Sequence, residues 1–158
     1  MWQRIQTVFL AVAVLALLAS LVFPIWVTDH DTETTVLTSF YLTTGVKGEN
    51  AQGATFDYTP YAITAMLSVA AITLIILEIL KYKNRLTQMK IGALNSFFLA
   101  GVILSSFYFS TGLTKALGTS GSYGLGMWLP GVAVLCNLLA NRFIRKDEKL
   151  VRDSNRLR

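Results

Sequence analysis

Glu78 is the one acidic residue inside a long hydrophobic run of this chain. A carboxyl group in such a setting is costly unless it is paired or protonated, and ionisable groups of this kind mark proton and ion pathways. Three amides stand at a matching depth in the other hydrophobic runs: Gln6, Asn95 and Asn137. At a helical rise of about 1.5 Å per residue, Glu78 lies about 4–5 Å from the level of Lys81, and Asn95 and Asn137 about 7–8 Å from Lys90 and Arg142. Gln6 lies about 3 Å from Arg4 on the same scale. The four side chains make a candidate polar layer near one membrane face. Such a layer either holds a proton or cation at Glu78, or knits the helices together through hydrogen bonds. Proton-coupled exporters usually carry their acid nearer the midplane, so the structural role is favoured. Glu78 shares a helical face with Thr64, Ser68 and Ala71. It is expected to point inward and to find a donor in the layer or in the adjoining basic loop, since an unpaired carboxylate loses solvation that nothing returns.

The other reactive residues carry less. His30, the only histidine, sits among Asp29, Asp31 and Glu33 in a polar segment. Oxygen ligands of this kind can hold a divalent cation, but loop acids around a lone histidine are more simply solvated charge. Cys136 is the only cysteine, which removes intramolecular disulfides, cysteine metal sites and the four-span disulfide oxidases. No Ser/His/Asp set, phosphate-binding glycine loop or paired-histidine motif occurs. The expectation is a protein that is not an enzyme and holds no metal or cofactor.

Long apolar elements must position the layer. Hydrophobic residues make up 53% of the chain and charged ones 15%, more apolar surface than one soluble core of 158 residues can hide. They gather into four runs, about 5–26, 60–80, 91–110 and 124–140, each long enough to span a bilayer. The fold class is therefore an all-α membrane protein, one domain over 1–158 built as a four-transmembrane-helix bundle. An outer loop covers 28–59, an inner loop 81–90, and a basic tail 141–158. The first run is too long for a cleaved signal core and reads as a retained anchor. Thr59 and Pro60 suit an N-cap and first helical position for the second span.

The long loop favours strands at Thr34 to Leu42 and at Ala54 to Tyr58, with Gly45, Gly48, Asn50 and Gly53 marking a turn, so a β-hairpin is expected there. Small and polar residues at heptad spacing mark the faces that should meet, because leucine gains nothing by leaving lipid. Span one offers Gln6, Leu10, Ala13, Leu17 and Ser20, and span two Thr64, Ser68, Ala71, Ile75 and Glu78. Span three offers Gly92, Ser96 and Ala100 with Asn95 beside them, and span four Gly126, Pro130, Ala133, Asn137 and Asn141. Twelve of the fourteen Lys and Arg residues fall on the side that carries both termini, against Lys47 and Lys115 on the other. The excess places both termini in the cytoplasm. The tail reads as a helix continuing span four, and its Arg142, Arg145, Lys146, Lys149 and Arg152 suit anionic headgroups or a partner. Nucleic acid is not expected, because both basic stretches abut hydrophobic spans.

The opening Met1-Trp2-Gln3-Arg4-Ile5-Gln6-Thr7 and the closing stretch from Asn141 to Arg152, ending Arg156-Leu157-Arg158, resemble a domain-of-unknown-function family of small bacterial four-span proteins. The resemblance implies an inner-membrane location and no assigned activity. The layout is also similar to claudin-type tetraspans, although their tryptophan-and-paired-cysteine signature is absent. The leading expectation is a non-enzymatic accessory or scaffold subunit that contacts the bilayer, anionic headgroups, and another membrane protein or a second copy of itself. The alternative is a small transporter, or a lipid- or small-molecule-binding protein, that uses the layer around Glu78. The topology is testable by labelling. In a Cys136→Ser background, Gln52→Cys and Ser120→Cys should react with an impermeant maleimide added to intact cells, and Ser154→Cys should not. Outside labelling at position 154 would overturn the orientation.

Overall fold

The computed structural model describes residues 2–30, 33–46, 54–82 and 84–156. Asp31, Lys83 and the turn expected at Gly48, Asn50 and Gly53 lie outside them. Four helices dominate: α1 (Trp2–Val22), α2 (Ala62–Leu80), α3 (Arg85–Leu117) and α4 (Leu125–Arg156). All four are long and apolar enough to cross a membrane. At about 1.5 Å per residue, α3 and α4 are each close to 50 Å long, well beyond an apolar slab of about 30 Å. The expected span three (91–110) is the apolar middle of α3, and α4 carries the expected tail as one continuous helix. Helix α1 packs chiefly on α4 and α2 chiefly on α3, and α3 and α4 join the two pairs.

Local chemistry sets the helix ends. Val22 closes α1 two residues before Pro24, whose ring disfavours helix at the residue preceding it. Asn84 caps α3 by accepting from the Thr87 N–H at 3.2 Å. Gly118 ends the same helix in the left-handed region at φ 66°, which costs glycine little. The expected start of α2 is corrected. Thr59 and Pro60 lie in a turn, and the helix begins at Ala62 without a side-chain cap. Instead, the carbonyl of Ser39 accepts from the Ala65 N–H in the first turn at 3.0 Å. The Ser39 hydroxyl also donates to the Ser20 carbonyl of the last α1 turn at 2.9 Å. A single loop residue thus bonds to both helix ends, meeting an orphan carbonyl of α1.

Beyond these ends lies a five-stranded antiparallel sheet in the order β4-β3-β2-β1-β5. Its strands are β1 (Trp26–His30), β2 (Glu33–Leu37), β3 (Leu42–Val46), β4 (Thr55–Asp57) and β5 (Ser122–Tyr123). The expected hairpin is corrected in its pairing. The stretch 34–42 is not one strand but turns back at 38–41, where the Thr38 N–H donates to Tyr41 O at 3.0 Å and the Thr38 hydroxyl binds the same carbonyl at 2.9 Å. β2 therefore pairs with β3, with Leu37 opposite Leu42, and the 54–58 segment supplies β4 on the far side of β3. Trp26, expected to finish span one, opens β1 instead and faces Tyr123 of β5. Its indole is buried with Ile25, Leu37 and Leu113, and this cluster fastens the sheet to the bundle.

The main core runs along the helices through Leu10, Ala13, Leu17, Ala71, Ile75, Leu99, Ala133 and Ala140. Alanines are prominent, and small residues of this kind let helices approach closely. One close approach of backbone to backbone is at the start of α4. The Gly126 and Gly124 N–H groups donate at 3.0 Å to the Pro24 and Ile25 carbonyls, and a Cβ on Gly126 would strike the Phe23 and Pro24 carbonyl oxygens. Gly126→Val should therefore lower thermal stability in detergent, by about 1–3 kcal/mol as for other overpacked sites. Gly112→Ala, whose Cβ would meet open space, should leave the melting temperature unchanged or slightly higher. Equal melting temperatures for the two variants would contradict this docking of α4.

Candidate functional site

The buried faces of the four helices converge on a polar layer toward the end of the bundle that carries the termini. On α1 the buried line is Gln6, Leu10, Ala13, Leu17 and Ser20, and on α4 it is Gly126, Pro130, Ala133, Asn137 and Asn141. On α2 it includes Thr64, Ser68, Ala71, Ile75 and Glu78. On α3 the line is Gln88, Gly92, Asn95, Leu99 and Val102, so the expected Ala100 is corrected: it faces outward. Asn95 rather than Ser96 leads the face, because steps of three and four from Gln88 pass through it.

Asn137 is the hub. Its Nδ2 donates to the Gly92 carbonyl at 3.2 Å and to Ser96 Oγ at 2.9 Å, and its Oδ1 accepts from Asn95 Nδ2 at 3.2 Å. Ser96 Oγ in turn donates to the Gly92 carbonyl at 3.0 Å. Asn141 packs its amide where a Cβ on Gly92 would sit, so a glycine is needed there. These contacts clamp α3 to α4 inside the apolar region.

Glu78 and Gln6 belong to the layer by position but not by this network. Glu78 is fully buried, and the bond it receives goes to its backbone: Gln88 Nε2 donates to the Glu78 carbonyl at 3.0 Å. Neither carboxyl oxygen has a hydrogen-bond partner among the described residues, so the expected donor to the Glu78 side chain is a correction. Lys81, the nearest base of the expected loop, is exposed past the end of α2. Gln6 Nε2, Asn95 Oδ1 and Asn141 Oδ1 also lack partners. Gln88 was absent from the sequence-based layer, although its place one heptad before Asn95 would have found it.

Below the layer an open cleft of about 480 Å³ lies among the helix ends. Gln6, Val8, Ala11, Ile79, Gln88 and Ile144 line it, and Arg85 and Asp147 stand at its rim. Arg85 Nη2 meets Asp147 Oδ2 at 3.1 Å, and Nη1 donates to the Asp147 carbonyl at 3.1 Å. Glu78 is not among the lining residues. The tail bases Arg142, Arg145, Lys146, Lys149 and Arg152 are all exposed. Arg142 and Arg145 flank a second groove of about 430 Å³ between α3 and α4, with Ser96 and Asn141 in its wall.

These differences separate two substitutions. Asn137→Leu strands the partners of a buried amide and should cost about 1–3 kcal/mol in a detergent unfolding experiment. Glu78→Leu removes a carboxyl that has no partner, and such replacements are close to neutral or stabilising. A larger loss for Glu78→Leu than for Asn137→Leu would reverse the assignment of the hub.

No curated protein matches the chain. A family model described as domain of unknown function DUF4293 matches residues 2–157, almost the whole sequence. By this match over nearly its whole length, the chain belongs to the DUF4293 family.

Proposed function

We propose that this chain is a multi-pass protein of the bacterial inner membrane, with both termini cytoplasmic, that works without catalysis as an accessory or scaffold subunit. The observation that carries this reading is the hydrogen-bonded α3–α4 seam around Asn137. Asn137 and Asn95 bond each other across the α3–α4 seam at zero exposure, and the nearby cleft does not include Glu78. A transporter would need a path to its ionisable group. The cleft among the helix ends supplies no such path to Glu78.

The two ends of the molecule suit the scaffold role. One end carries a sheet tied to the helices by Ser39, Trp26 and the first turn of α4, which holds an outer surface in a set orientation. The other carries the exposed bases of α4, and the Arg142–Arg145 groove offers two guanidinium groups to an anionic headgroup. Membrane proteins that co-purify in mild detergent should be recovered less well when Arg145, Lys149 and Arg152 are changed to Gln, with insertion unchanged. Proton flux in proteoliposomes that Glu78→Gln abolishes would overturn this reading in favour of transport.

A further inference from the structure

We propose that the cleft bounded by Gln6, Arg85 and Asp147 is a binding site for a phospholipid whose zwitterionic headgroup ends in a primary amine, a phosphoethanolamine lipid. The inference rests on insertion in a bilayer and not on the scaffold role. All four helices contribute to the cleft, and its size falls within the range of about 300–1,000 Å³ typical of ligand sites.

Its chemistry is layered in the order of a phospholipid. The rim is an opposite-charge pair, Arg85 and Asp147, whose side chains are 23% and 17% exposed. A guanidinium keeps further N–H donors after one ion pair, and a carboxylate keeps further lone pairs. A phosphate can therefore dock on Arg85 while an ammonium docks on Asp147, each through a charge-assisted hydrogen bond. Next to this rim stands Gln6, 4% exposed, with its Nε2 unpartnered. A buried donor without an acceptor is costly, and an acyl ester carbonyl, which lies just inside the phosphate in a phospholipid, would satisfy it. Val8, Ala11 and Ile79 continue the wall deeper into the apolar region, where an acyl chain would follow.

The rim also selects among headgroups. A purely anionic lipid would gain Arg85 but offer no cationic N–H donor to the remaining lone pairs of Asp147. A choline headgroup carries the positive charge but has no N–H to donate. The groove at Arg142 and Arg145 differs, because no acidic residue lines it. The protein thus presents a paired-charge site in one seam and an all-positive groove in another.

Native mass spectrometry of the full chain in mild detergent tests this, with phosphatidylethanolamine, phosphatidylcholine and phosphatidylglycerol of matched acyl chains in competition. The amine lipid should be retained about tenfold over the choline lipid, the discrimination expected of one charge-assisted hydrogen bond. Asp147→Asn should erase that ratio. Ala11→Trp, which fills the cleft from an exposed position on α1, should lower retention of the amine lipid without touching the ion pair. Equal retention of the two lipids by the unsubstituted chain overturns the proposal, and so does a preference that survives Ala11→Trp. A failure to capture partner proteins leaves these ratios unchanged, so the two readings fail separately.

Discussion

The helix arrangement depends on one amide. Helices this apolar gain little from burying one leucine against another if they cross a bilayer, so polar contacts and close packing of small residues are what fix α3 against α4. Asn137 donates twice and accepts once across that seam, and Gly92 supplies both a carbonyl to it and the space for Asn141 beside it. The same contacts constrain rotation. Turning α4 by one residue would break all three of these bonds and leave the buried Asn95 and Asn137 amides without partners, a desolvation penalty. Packing of α1 against α4 and of α2 against α3 then completes the bundle around alanines and a few large residues.

A second constraint governs the opposite end. Helix ends leave orphan N–H and carbonyl groups, and here the connecting segments provide for them. Ser39 serves the end of α1 and the start of α2, and the carbonyls of Pro24 and Ile25 serve the N–H groups at Gly126 and Gly124. The price of these backbone contacts is side-chain space, which explains the glycines at 124 and 126. Because the loops cap the helices, the sheet cannot swing freely over the bundle. Trp26, buried under β1, couples the two through its contacts with Leu37 and Leu113.

The end that carries the termini is built differently. There the helices stand apart enough to leave a cleft and a groove, and the polar groups lining them are incompletely bonded. Gln6 and Asn141 each keep an unpartnered atom, one beside the cleft and one beside the groove. The bonded α3–α4 seam and the open cleft and groove at the terminal end thus differ in how closely the helices meet.

Composition and periodicity were sufficient for the four helices, for the continuation of α4 into the tail and for most inward faces. Those features follow from local rules: apolar runs of spanning length, and small or polar residues every three to four positions. The shared depth of Asn95 and Asn137 was legible by counting from the basic residues, but which of the four polar side chains bond each other was not. Strand pairing was not, because it depends on where the chain reverses: Thr38 and Tyr41 make a turn inside a stretch whose residue types all favour strand. Trp26 belongs to a strand because it pairs with Leu37 on one side and with Tyr123, nearly a hundred residues away, on the other, and the second pairing is encoded in no local pattern. Ala100 faces outward because the helix turns it away from the Asn95 line. Only the tertiary structure separates Glu78 from its expected donors, since depth along a helix says how far a group lies from the membrane face and nothing about which side chains reach it.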